Sequence, residues 1–222
     1  MSATTTPTST MSPSLYHLRV VLRGISPLIW RRLLIPADTT IAGLHTVLQT
    51  SFGWSGEHLH RFVIHGREYG IAYSGGPWFR DDARTVGLGE LGLRVAERFT
   101  YEYNFFAAWR LDLRVERITD PQPGGTSPRC VGGRRAGPPE GWGGAWEFGQ
   151  RTQPYLVFDA ITRAAEIIGR LLDAEEDADL VSVGAPRDEL AAVLPLLGLD
   201  RFDRRACNKA LVGLTATQTS AA

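Results

Sequence analysis

Along residues 16–23, Tyr16, Leu18, Val20 and Leu22 fall on one face of an extended chain, with His17, Arg19, Val21 and Arg23 on the other. That period of two predicts a strand with one buried face. Turn chemistry over Gly24 to Pro27 leads to a second strand, Leu28 to Ile35, which Pro36 ends, so a hairpin is expected. Asp38, Thr39 and Thr40 then offer N-cap oxygens to a helix running to about Ser51, with Ile41, Leu44, Leu48 and Phe52 near helical spacing and Gly53 as its stop. His58 to His65 reads as a strand with turns at Gly66 and Gly70, Ser74 to Pro77 as a loop, and Thr85 to Leu93 as a stretch with one short helical turn. Two more strands follow. Tyr101, Tyr103 and Phe105 share one face of the first, and Trp109, Leu111, Leu113 and Val115 alternate with Arg110, Asp112, Arg114 and Glu116 in the second.

Pro121 to Gly149 is dense in Gly and Pro without apolar periodicity, yet it carries Trp142 and Trp146, so an ordered loop lying over the fold is expected. Helical spacing then takes over. Phe158, Ile161, Ala165, Ile168, Leu171 and Leu172 form an apolar stripe that gives way to the acidic run Asp173 to Asp179. A second helix starts at Pro186 and is kinked or ended by Pro195, and a third runs from about Asp203 to Val212, with Gly213 as its stop. Strands first and helices last predict an α+β single domain, mainly an antiparallel sheet with helices packed on it and a helical C-terminal part. Its expected span is Leu15 to Leu214, between disordered tails at residues 1–14 and 215–222, the first rich in Ser, Thr and Pro.

Composition narrows the function. Lys plus Arg and Asp plus Glu both number 24, so the chain lacks the net basic surface that coating nucleic acid or lying on an anionic membrane requires. Two cysteines are too few for a disulfide framework, which points to a reducing cytoplasm. Neither a membrane-length apolar run nor a signal-peptide pattern occurs, and P-loop, dinucleotide and nucleophile-elbow motifs are missing.

The candidate chemistry centres on four residues: His45 on the first helix, His58 and His60 on the following strand, and Glu140 in the Gly/Pro loop. Two residues apart on a strand, His58 and His60 would share a face roughly 6–7 Å apart at ~3.3 Å per residue. A His-x-His pair can contribute to a transition-metal site, but no closed ligand set is evident, and two such histidines can equally hydrogen-bond neighbours and pack on Trp54. Neither metal nor cofactor is expected. The same groups can exchange protons near neutral pH, with aromatic walls from Trp30, Trp54, Tyr103, Trp109 and Trp142 around an apolar or cationic small molecule. A large aromatic core under a loop explains those rings equally well. Arg31 and Arg32 point to opposite faces of their strand, so at most one can clamp a phosphate or carboxylate in the pocket.

The ordered set Trp30-Arg31-Arg32, Leu44-His45, Gly53-Trp54, His58-Leu59-His60 with Phe62, Pro138-Pro139-Glu140, Gly143-Gly144 and Phe202-Asp203 with Asn208 and Leu211 resembles the plasmid pRiA4b ORF-3-like family over roughly Leu15 to Leu214. The resemblance implies an α+β single domain of bacterial, often plasmid or mobile-element, origin without an assigned biochemical role. Where the family typically continues Asp-Phe-Gly-Asp-x-Trp after its Tyr-x-Tyr strand, this chain has Asn104-Phe105-Phe106-Ala107-Ala108-Trp109. Where the family often reads Cys-Pro-Pro-Glu-Asp-Cys-Gly-Gly, it has Gly137-Pro138-Pro139-Glu140-Gly141-Trp142-Gly143-Gly144. Loss of those acidic and thiol groups implies altered chemistry and a drier pocket, with Asn104 and Trp142 among its ligand-contacting residues. Two readings follow. One is a binding or accessory protein whose partner is a small molecule or another protein, and the other is a cofactor-independent enzyme using His/Glu acid–base chemistry on a hydrophobic small molecule in specialised metabolism.

Overall fold

The structure, a computed structural model, describes residues 14–72, 78–120, 127–173 and 180–219. The expected tail at residues 1–13, the loop at 74–77 and the acidic run over 174–179 lie outside the described residues.

Among the described residues, eight strands form one sheet: β1 (Leu15–Leu22), β2 (Trp30–Pro36), β3 (His60–Ile64), β4 (Arg67–Gly70), β5 (Asp81–Asp82), β6 (Arg98–Tyr103), β7 (Trp109–Thr119) and β8 (Arg129–Arg134). Their order is β5-β4-β3-β6-β7-β1-β2-β8, and every pair is antiparallel except β4 with β5. The alternation read in β1 and β7 sets the two faces. Leu18, Val20 and Leu22 join Leu111, Leu113 and Val115 in the core, while Arg32 and Glu116 pair at 2.6 Å on the solvated face. Helix α1 (Ile41–Phe52) lies on the core face through Ile41, Leu44, Val47, Leu48 and Phe52. The Oγ1 of Thr40 accepts the Gly43 amide at 3.0 Å, and Gly53 ends the helix at φ 75°, a conformation favouring glycine.

Four further helices follow: α2 (Gly144–Arg151), α3 (Pro154–Asp173), α4 (Leu180–Leu197) and α5 (Arg204–Thr219). The Oδ1 of Asp203 caps α5 by accepting the Arg205 and Ala206 amides. Helix α5 runs past the expected boundary at Leu214 to Thr219, and α4 is continuous through positions 186 and 195.

The expected loop over 121–149 contains β8 and α2. β8 escapes periodicity because its cover comes from elsewhere in the chain. A Cβ on Gly133 would lie 2.4 Å from the Phe202 ring, so glycine lets that ring lie against the strand, while Gly132 sits in ordinary contact with Trp30. On α3 the apolar stripe faces outward. Phe158 is 71% and Leu172 79% exposed, whereas Ala160, Ala164 and Ile167 are buried, the two alanines clustering with Val193 of α4. Ala160 and Ala164 permit the close helix–helix approach, leaving Phe158 and Leu172 in solvent.

Candidate functional site

Residues 135–140 form a strap across the C-terminal end of α1. Buried Arg135 anchors it, bonding Asp200 at 2.9 Å and donating to the Pro27 carbonyl at 2.7 Å. The Ala136 amide donates to the Leu199 carbonyl at 2.9 Å. Gly137 passes so close to α1 that a Cβ there would sit 1.9 Å from the Phe52 carbonyl oxygen. The Trp54 indole then donates to the Pro138 carbonyl at 3.0 Å.

The strap delivers Glu140 to the segment between α1 and β3. One carboxylate oxygen accepts the Ser55 amide at 2.7 Å, and the other accepts the Ser55 hydroxyl at 3.0 Å and the Tyr103 phenol. Partial burial pushes the Glu140 carboxyl up, but these donors outweigh it and hold the group below its ordinary range. The Tyr103 phenol is pushed up to about 12 by burial first and by its bond to Glu140 second. Beneath them, Trp54 stacks on Tyr103 at 5.3 Å and meets Trp109 at 5.9 Å, all three buried. Three of the five expected aromatic walls, Trp54, Tyr103 and Trp109, thus pack directly on one another.

His45 and His60 lie one layer deeper, stacked at 3.6 Å with planes 11° apart. His45 Nδ1 is 2.7 Å from the Tyr101 hydroxyl, to which Gln49 Nε2 donates at 2.6 Å. A phenol that accepts from Gln49 Nε2 and donates to Nδ1 serves the hydroxyl, the ring nitrogen and the amide nitrogen at once. Burial, with the facing His60 ring, pushes His45 down to about 3, and burial pushes His60 down to about 4. Both rings are neutral at physiological pH, which removes the repulsion a stacked charged pair would suffer. Among the described residues, His60 Nε2 and Gln49 Oε1 are buried without a hydrogen-bond partner.

Of the remaining candidates, one stays near the carboxylate and the others disperse. His58 is exposed and precedes β3, outside the continuous strand expected with His60, but its ring meets the edge of Tyr103 at 5.7 Å and it acts electrostatically on Glu140. Trp30 lies beneath the Arg19 and Arg32 guanidiniums, on the opposite face of β2 from Arg31. Asn104, at φ 52°, makes the β6–β7 turn, its Oδ1 accepting the Ala107 amide at 3.2 Å. Trp142 packs on Phe148 and Arg151 and lines a separate cavity beside α3 and α4. Among the described residues, no group of three or more His, Cys, Asp or Glu could hold a metal ion, and no helix is long and apolar enough to cross a membrane.

Arg31 occupies the other side of the strap. Its guanidinium is sandwiched by Phe202 at 3.8 Å and Phe52 at 4.8 Å, and the side chain is 1% exposed. Nε donates to the Ser51 carbonyl at 2.8 Å, and Nη1 to the carbonyls of Trp30 and Arg134 at 2.8 and 3.1 Å. Burial lowers its pKa to about 10, leaving it cationic, and among the described residues it pairs with no carboxylate. Arg31 lines a cavity of about 490 Å³ together with Phe52, Pro138, Pro139, Phe202 and Cys207. Sequence reasoning missed Phe202 and Cys207 here, although Phe202-Asp203 was among the family-like motifs.

A mixed, mostly antiparallel sheet strapped over its central helix, with a neutral histidine stack on one side and a buried arginine on the other, defines an α+β domain of one recognisable class. Residues 14–156 match the family described as plasmid pRiA4b ORF-3-like protein, and the chain belongs to that family. It is 32% identical over 189 residues to the uncharacterized protein y4hQ of Sinorhizobium fredii (strain NBRC 101917 / NGR234), covering 82% of this chain and 95% of that protein. The crystal structure of MM3350, a protein of unknown function from Methanosarcina mazei Go1, is similar at a TM-score of 0.60 and 25% identity, covering 89% of this chain and 97% of the other.

Proposed function

We propose that this protein is a binding or accessory protein without acid–base catalysis, and that its ligand is a small molecule bearing a carboxylate or phosphate, held in the Arg31 cavity. The observation that carries this reading is the buried, cationic guanidinium whose hydrogen bonds, among the described residues, go to carbonyls, with the Cys130 and Cys207 thiols nearby, and which lines an open volume. Buried charges ordinarily meet a counter-charge, and a planar guanidinium suits an oxyanion. The competing acid–base reading is weakened because His45 and His60 are too desolvated to take protons near neutral pH, and Glu140 already accepts three hydrogen bonds.

Thermal unfolding in sodium phosphate and sodium benzoate, against sodium chloride at matched ionic strength, tests the reading. Ligand at 100 times its Kd stabilises by about 2.7 kcal/mol. At ~2–4 °C per kcal/mol this raises Tm by roughly 5–11 °C. Arg31→Met, which keeps an apolar stem between the two phenylalanines, should abolish the response. No shift of the unaltered chain with either anion overturns the reading.

A further inference from the structure

The two cysteines are far apart in sequence but adjacent in the fold. Cys130 lies on β8, and Cys207 lies one turn into α5. The neighbouring Asn208 ties the two elements together: its Oδ1 accepts the Cys130 amide at 2.8 Å, and its Nδ2 donates to the Cys130 carbonyl at 2.9 Å. The two thiols lie close enough to act on each other, with Ser51 and Arg31 beside Cys207, and Cys130 Sγ donates to the Gly132 carbonyl at 3.3 Å. Their access differs. Cys207 lines the Arg31 cavity, whereas Cys130 is not among the lining residues and is 2% exposed. One thiol thus faces an opening while its neighbour waits behind it, as an attacking and a resolving thiol must.

We propose that Cys207 and Cys130 form a redox dithiol oxidised by a small anionic disulfide that enters the Arg31 cavity; this rests on the anion-binding reading of that cavity. The Cys207 thiolate attacks one sulfur of the incoming disulfide. That S–S bond breaks, one half leaves as a thiolate that takes up a proton, and the other half stays on Cys207 as a mixed disulfide. Cys130 then loses its proton and attacks the Cys207 sulfur, forming the protein disulfide and expelling the second half as a thiol. One disulfide is reduced to two thiols and one dithiol is oxidised, so no other reactant is needed.

The surroundings fit each role. The neighbouring Cys130 thiol, with further help from Ser51 and Arg31, lowers Cys207 and favours its thiolate, while Cys207 and burial push Cys130 up. The product would covalently staple β8 to α5 behind the cavity, fixing the helix that follows Phe202.

The test uses the full chain, reduced and then exposed to oxidised glutathione or to uncharged 2-hydroxyethyl disulfide, alkylated, and read by intact mass. With oxidised glutathione the unaltered chain should lose both alkylatable thiols and retain no adduct. Cys130→Ser should keep one glutathionyl group, and Cys207→Ser should keep an alkylatable Cys130. Inorganic phosphate should slow the reaction with oxidised glutathione several-fold and leave that with the uncharged disulfide unchanged. Two thiols still alkylatable after either reagent overturn the dithiol, while a phosphate-induced Tm shift in the same preparation leaves the binding reading standing. Oxidation at equal rates by both reagents, indifferent to phosphate, overturns the anionic oxidant. Indifference joined to the absence of any phosphate-induced Tm shift overturns the binding reading as well.

Discussion

Mild acid should weaken this fold through His45 and His60, which are packed in their neutral form. Burial, with each other's proximity adding for His45, pushes their folded values to about 3 and about 4. In the unfolded chain histidine titrates near ~6.5. Between these values the unfolded state binds protons that the folded state refuses, so stability rises with pH. The contribution is fully present above about pH 7, falls as pH drops through ~6.5, and levels off only near the folded values. At pH 5 each ring sits about 1.5 units below its unfolded pKa. At ~1.36 kcal/mol per unit that is about 2 kcal/mol per ring, or about 4 kcal/mol for the pair. A chain of this size should then melt roughly 8–16 °C lower at pH 5 than at pH 7. Urea unfolding at both pH values, followed by tryptophan emission, gives the free-energy difference directly. His60→Gln should remove about half of it, since one of the two rings then no longer titrates. Unfolding free energies that agree within about 1 kcal/mol at the two pH values, or an unchanged pH slope in His60→Gln, would refute the buried neutral pair.

Glu140→Ala removes a partly exposed carboxylate with three donors and should cost about 1–2 kcal/mol in urea unfolding. Tyr103→Phe combined with it should cost less than the sum of the two single changes. Gly137→Ala should destabilise by about 3 kcal/mol or fail to fold, because its Cβ would meet the Phe52 carbonyl at 1.9 Å, whereas Gly141→Ala, with open space around it, should be silent in Tm. On α3, Phe158→Ser should change stability by less than about 0.5 kcal/mol. Ile167→Ser, at a fully buried position, should cost more than about 2 kcal/mol by the same assay.

Where residues bury their own periodic face, the sequence is readable. Alternation in β1 and β7, the Thr40 and Gly53 caps of α1, and the opposite facing of Arg31 and Arg32 could all be inferred from position alone. β8 could not, because its glycines bury nothing of their own and take cover from Trp30 and Phe202. The stripe on α3 misleads for the converse reason: large apolar side chains mark a face, but packing against α4 selects the small one. At the candidate site, residue types indicate which aromatic rings are available. They do not indicate that Trp54, Tyr103 and Trp109 would pack on one another, or that His58 would fall two residues short of β3.

The bond from the Trp54 indole to the Pro138 carbonyl makes the strap optically legible. Pro138 and Phe52 both line the Arg31 cavity, and Phe52 also stacks on Trp54 at 5.3 Å, so the indole senses the cavity from two directions without entering it. Trp54 and Trp109 are buried and should emit to the blue, while Trp78 and Trp146 are exposed and should emit further to the red. The blue edge of the emission spectrum should therefore isolate the interior pair from those two. A guest in the Arg31 cavity that shifts the Pro138 carbonyl should change the hydrogen bond to the Trp54 indole, so that emission would report occupancy without a label.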